Sequence, residues 1–384
     1  MDSREETKLA LPFVDVAEAE RSGLCGLPVS AGADLIYRTL GTDGKLNRLK
    51  EDRFTDYTLT EKTDDGVTAV RIEAVKGDRS ITLELGDIAK LLGSRKGVKK
   101  FFLWILAQIN RQAYSIDAKT HAGTLHNNII EFTTRELVDA GLYTNTSNAG
   151  RGYDAAAEVL TNLKVKGQEV DNATGKPTVI LKDIIVLFTR MRREGRRCIV
   201  TLNPDFSWGF LLSYYTVIPK FAFGLSLKAF DLIYCIFFLA RQHSNTDQIA
   251  ARGCFTISMR TIQRRLGLPS EIENTHPNRD IVQPIKDAVA EIQNEARKIG
   301  FEGLNIKLKG KANATIEEFL NKGEIEVSLT AHVAENFLKV AHNRDIAVAK
   351  QERIEETAAI KAKVAIYKKQ LEKDAKESRK KKTE

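Results

Sequence analysis

The chain has 384 residues, 42% of them hydrophobic and 29% charged, with a formal net charge of +8. Such a composition leaves room for two ordinary domains and is too apolar for wholesale disorder. The positive balance points to a polyanionic partner, nucleic acid before an anionic membrane surface, though charge speaks to association and not to fold.

Cys25, Cys198, Cys235 and Cys254 stand far apart with no CxxC pair, which gives zinc-finger and thioredoxin-like readings no support. The opening MDSREETK is acidic and polar, with no apolar core after it, unlike a secretory signal. The most apolar runs, FFLWILAQI and FDLIYCIFFLA, are far shorter than the ~20 residues of a membrane span. A cytoplasmic protein with no membrane partner is expected.

Residues 1 to about 50 show no clear pattern. Between Phe54 and Leu85 the composition turns β-like, and TAVRIEAV and SITLEL flank Lys-Gly-Asp-Arg as a hairpin would. GDIAKLLG reads as a short helix closing at Gly93. In VKKFFLWILAQINRQAY, residues Phe101, Phe102, Ile105, Leu106 and Ile109 recur at helical spacing, so one face is buried. A polar loop with His121 and His126 leads to the strand NNIIEF. Thr133 or Thr134 can cap the helix TRELVDAG, which Gly141 closes. After the turn TNTSN, Ser147 or Asn148 can cap a longer helix through GYDAAAEVLTNLK. TVILKDIIVLF and CIVTL read as strands joined by TRMRREGRR.

The second half repeats this order. Ser226 opens SLKAFDLIYCIFFLARQH, with Phe230, Ile233, Phe237 and Ala240 on one face; CFTI is a short strand; Ser258 caps MRTIQRRLG. RDIVQPIKDAVAEIQNEARKIG carries Ile281, Ile285, Ala288, Val289, Ile292 and Ile299 at a 3.6-residue period. LNIKLKG and EIEVSL form a hairpin, with KANATIEEFLNKG between them. From Lys350 onward twelve Lys/Arg face seven Asp/Glu, so the helical tail is a solvated end or a phosphate contact.

This order is that of a winged helix-turn-helix, near residues 97–203 and again near 225–330. The expected fold class is α+β. An N-terminal extension, partly β, covers 1–80; winged-helix domains cover 81–215 and 216–330; a charged helical tail covers 331–384.

In a helix-turn-helix, the second helix reaches base edges while the first helix and the wing meet phosphates. In the second module the candidates are Asn278, Arg279, Gln283 and Lys286 on the long helix, with His276 before it. Arg260, Arg264 and Arg265 on the preceding helix and Lys307, Lys309 and Lys311 on the hairpin complete the set. In the first they are Asn148 and Arg151 with the wing residues Arg190, Arg192, Arg193, Arg196 and Arg197. Such a wing fits a phosphate track or a narrow minor groove, and a solvated basic face is the other reading. Catalysis finds little support. DNATGKPT lacks the first glycine of a phosphate loop, and the six histidines hold no His-apolar-His pair to serve Tyr214 or Tyr215 as a nickase nucleophile. His121 and His126 alone are no metal signature. Neither an enzyme nor a cofactor is expected.

Two consecutive winged helices, the second with FTISMRTIQRRLGL and then IKDAVAEI, resemble the theta-type plasmid replication initiator (Rep) family. Ile285, Ala288, Glu291 and Ile292 match that family's L-x-x-A-x-x-E-I pattern, with isoleucine for the first leucine. FFLWILAQINRQAY resembles the first helix of its leading module. The resemblance covers roughly 80–330. It implies binding to repeated origin sequences in double-stranded DNA, chiefly through the second module. Origin opening, recruitment of a host initiator and replicative helicase, and a homodimeric repressor form are implied too. A sequence-specific transcriptional regulator is the alternative reading of the same fold. Pro284, early in the proposed recognition helix, requires that helix to begin within about four residues of it.

Overall fold

The computed structural model describes residues 23–28, 30–40, 59–64, 67–76, 79–85, 97–116, 123–170, 177–180, 185–212, 215–241, 243–269, 274–310, 315–334 and 337. The expected helix at GDIAKLLG, His121, Lys311, Tyr214, most of DNATGKPT and the charged tail beyond 337 lie outside them.

β1 (Leu24–Pro28) and α1 (Ala31–Thr39) come first. β2 (Leu59–Asp64), β3 (Val67–Lys76) and β4 (Arg79–Leu85) pair as an antiparallel meander, β3 and β4 being the expected hairpin. Next are α2 (Val98–Gln112), β5 (Tyr114–Ile116), β6 (Gly123–Leu125), β7 (Ile129–Thr133), α3 (Thr134–Asp139) and α4 (Thr146–Leu160). They are followed by β8 (Leu163–Val170), β9 (Pro177–Ile180), β10 (Ile185–Val186), β11 (Phe188–Glu194) and β12 (Arg197–Leu202). α5 (Gly209–Leu212), β13 (Tyr215–Pro219) and a 3-10 turn (Lys220–Gly224) lead to α6 (Leu227–Ala240) and α7 (His243–Arg252). β14 (Cys254–Ser258), α8 (Met259–Arg265), α9 (Gln283–Lys298), β15 (Leu304–Lys309), α10 (Ile316–Lys322) and β16 (Glu324–Leu329) follow.

The fold is α+β, and one arrangement occurs twice. Strand β7 leads into α3 and α4, and its sheet runs β11–β12–β7; strand β14 leads into α8 and α9, and its sheet runs β14–β16–β15. In both antiparallel sheets the last strand of the unit sits in the middle. Local chemistry starts the helices. Thr133 caps α3 in a reciprocal box with Glu136; Ser226 caps α6 and Ser258 caps α8. Asn145, and neither Ser147 nor Asn148, caps α4, accepting from the Asn148 N–H at 2.8 Å.

Three further expectations change. The basic stretch after Phe188 is itself strand β11, and only Gly195 and Arg196 turn the hairpin, with Gly195 at φ +60. A two-residue hairpin needs that left-handed conformation, which glycine adopts without a Cβ clash. Residues 178–180 belong to β9, in a six-stranded sheet where β8 also pairs with β4 and β10, so that strands on both sides of position 80 join β8, β9 and β10. Ile299 continues the apolar spacing but lies past the end of α9 and is 55% exposed.

The two units share one apolar core. Phe101, Phe102, Leu103 and Ile105 of α2, Leu24 and Leu27 of β1, and Phe230, Ile233 and Phe237 of α6 are all fully buried within it. β1 pairs with β13, and α1 packs on α2 and α5. Charged groups are buried at the same junction. Lys99 of α2 meets Asp231 of α6 at 2.8 Å, with side chains 8% and 12% exposed. The Tyr37 hydroxyl donates to the same carboxylate, and the Lys99 ammonium lies 4.5 Å from the Tyr37 ring centre. Burial first, and the facing Asp231 charge second, push the Tyr37 phenol well above its ordinary value.

Breaking such a pair from one side strands the other charge. Asp231→Ala should cost about 3–5 kcal/mol in a denaturant unfolding titration. Lys99→Met combined with Asp231→Leu should return most of that loss.

Candidate nucleic-acid interface

The outer face of α9 is set by what the helix buries. Pro284, Ile285, Ala288, Val289, Ile292 and Ala296 face the core, which leaves Gln283, Lys286, Asp287, Ala290, Asn294 and Arg297 exposed. Asn294 and Arg297 went unnoticed in the sequence, although they lie on the same stripe as Gln283 and Lys286. The helix is entered through a π-turn over Asn278–Val282, closed by the Gln283 N–H donating to the Asn278 carbonyl. Proline has no N–H and its ring crowds the carbonyl four residues back. The wide turn, with Pro284 in the first turn of α9, admits the proline without breaking the path.

The motif glutamate has a structural task. Glu291 reaches across to the start of α6, where its carboxylate accepts from the Ser226 N–H and hydroxyl, both at 2.5 Å. A carboxylate at a helix N-terminus meets both free N–H donors and the positive end of the helix dipole. Nearby, the Lys100 ammonium donates to the carbonyls of Phe223 and Leu225 at 2.9 and 2.8 Å. Burial lowers Lys100 from its ordinary value, opposed by Asp231 and Glu291.

The remaining candidates of this unit fall into three groups. Asn278 and Lys286 are exposed; Gln283 is exposed and donates to Asp287 at 2.6 Å; Arg279 is exposed and paired with Asp280 at 2.8 Å. Lys307 is exposed on β15, and Lys309 is paired with Glu326 across the hairpin. Arg260 and Arg264 are half-buried, and Arg260 donates to Asn321 at 2.7 Å. Asn321 lies on α10, a helix within the KANATIEEFLNKG stretch, which Thr315 caps and whose Leu320 is fully buried where α10 packs on α8. Arg265 is a correction. Its side chain is 5% exposed, bound to Asp34 at 2.7 Å, with Phe238 4.4 Å from the guanidinium, so it belongs to the junction.

In the first unit, α4 exposes Ser147, Arg151, Asp154 and Glu158. Asn148 is half-buried and accepts from Arg151 at 2.7 Å. The β11–β12 hairpin lies against α4. Tyr153 is fully buried and its hydroxyl lies 2.8 and 3.1 Å from the Ile199 and Arg192 carbonyls. Arg193 forks onto Asp154 at 3.0 and 2.6 Å and crosses Gly150, where a Cβ would sit 3.3 Å from the guanidinium carbon. Arg197 forks onto Glu131 of β7 at 2.6 and 2.9 Å, and Arg192 meets Glu194 at 3.2 Å. Arg190 and Arg196 are exposed and meet no carboxylate among the described residues. Asp154 and Glu131 were missed in the sequence because their partners are fixed only by the fold. Burial pushes the Cys198 thiol up to about 12, which keeps it protonated beneath this wing.

No group of described His, Cys, Asp or Glu residues could hold a metal, and no described helix is long and apolar enough to cross a membrane.

No family model matches the chain, and no curated protein matches it. Among solved structures it is similar to RctB domains 2–3, at a TM-score of 0.39 and 10% identity over 74% of this chain and 95% of that one. A selenomethionine structure of RctB domains 2 and 3 matches at a TM-score of 0.39 and 8% identity, over 72% of this chain and 92% of that one. The Pi initiator protein in complex with iteron DNA matches at a TM-score of 0.36 and 13% identity, over 62% of this chain and 92% of that one.

Glu291→Ala should lower stability by about 1.5–3 kcal/mol, the range for hydrogen bonds to a charged group, in thermal or denaturant unfolding. Ala290→Ser, one residue away on the exposed side, should change it by less than about 0.5 kcal/mol.

Proposed function

We propose that this chain binds double-stranded DNA through two winged-helix units and acts as a replication initiator at repeated origin sequences. The observation that carries the reading is the twice-built sheet with a helix pair, each copy setting an exposed polar helix face beside a basic strand. In this reading 81–215 and 216–330 are the two DNA-binding parts. Arg151 with Asn148, and Gln283, Lys286 and Asn278, face base edges in the major groove. Arg190, Arg192, Arg196 and Lys307 face phosphates, and Arg193, Arg197, Arg279 and Lys309 join them once their carboxylates give way. Arg260 and Arg264 border the backbone. The shared core supports action at repeated sites, since it fixes the spacing of the two helices along one duplex. Initiation of this kind needs no cofactor or catalytic group in the chain, and hands the opened DNA to a host initiator and helicase.

Full-length protein titrated onto fluorescent duplex DNA across a KCl series tests the reading. Wild-type affinity should fall steeply with salt. Lys307→Ala and Arg196→Ala should each make the slope of log K against log salt shallower by about 0.9, the value of one lost phosphate contact. Affinity independent of salt, or unchanged slopes in both variants, would remove these faces from the interface.

A further inference from the structure

The arginines of the first wing divide by what already holds them. Arg193 and Arg197 each have both ends of the guanidinium fork on one carboxylate, Asp154 and Glu131, while Arg190 and Arg196 meet none among the described residues. A carboxylate offers two oxygens in the plane of the fork, as a phosphate does, so one arginine geometry serves either anion. The pairs are open to solvent, with side chains 32% and 50% exposed for Arg193 and Asp154, and 55% and 42% for Arg197 and Glu131. Exposed pairs are worth little, so a phosphate can displace the carboxylate. A displaced carboxylate still stands beside the incoming phosphate and repels it.

We infer that Glu131 and Asp154 set specificity by occupying Arg197 and Arg193 as internal stand-ins for phosphate, so that arbitrary DNA meets a wing stripped of two charges. This rests on the DNA-binding reading above. Non-specific binding draws almost all its strength from phosphate contacts, so it suffers the full effect. A matched sequence adds contacts from the helix faces, and these offset the cost of opening the pairs. The two carboxylates come from different elements, β7 and α4, yet each closes on the same hairpin. That convergence argues against a chance surface pair.

The test uses full-length wild type, Glu131→Gln, Asp154→Asn and the double variant on mixed-sequence duplex DNA across a KCl series. Thermal unfolding of each protein confirms a native fold. Each single variant should bind more tightly than wild type, with a salt slope steeper by about 0.9, and the double by about 1.8. Tighter binding with those slopes supports the inference. Wild type and variants that bind with equal affinity and slope, or variants that bind more weakly, overturn it and leave DNA binding standing. No binding by any of the four, even at the lowest salt, overturns the proposed function and this inference together.

Discussion

Asp231 lies where the two repeated units meet, held by the Lys99 ammonium on one side and the Tyr37 hydroxyl on the other. Those partners come from α2 and α1, and Asp231 itself from α6, so three separate stretches of chain converge on one carboxylate. Buried charges tolerate little displacement, because each loses water and regains energy only from a well-placed partner. The pair therefore specifies a relative position that apolar packing alone leaves freer. Arg265 with Asp34, and Lys100 with the carbonyls of Phe223 and Leu225, pin the same joint at further points.

With the joint fixed, the outward faces follow. Helix α9 is oriented by its own buried row and by Glu291, which ties it to the start of α6. Because α6 also carries Asp231, the proposed recognition face of the second unit is referenced to the same joint. In the first unit Tyr153 sits under the wing hairpin and bonds to both of its strands. Charge on that hairpin is plentiful in the sequence and partly cancelled in the fold, which shifts attention from how many arginines there are to which are held.

The sequence made some of this legible and hid the rest for physical reasons. Caps such as Thr133, Ser226 and Ser258 were readable because the side chain satisfies an N–H only a few residues away. Asn145 was missed by two residues, since TNTSN offers several cap-forming side chains and the fold chooses among them. The core rows of α2, α6 and α9 followed helical periodicity. β1 and α1 did not show themselves, because β1 becomes a strand by pairing with β13 far along the chain, and Asp34 meets Arg265 231 positions later. Arg265 looked like its neighbours Arg260 and Arg264 for the same reason. Asp154 and Glu131 are 39 and 66 positions from the hairpin arginines they hold, beyond what a local pattern records.

In the proposed function the two joined units read repeated sites on one duplex. A nuclease footprint of the full chain on the DNA flanking its own gene, at near-physiological salt, tests it most directly. Fixing the salt matters because phosphate contacts alone mimic affinity when salt is low. Protection recurring at a regular interval over tandem direct repeats is the predicted result. A single protected palindrome over a promoter, or no discrete protection at all, would contradict it.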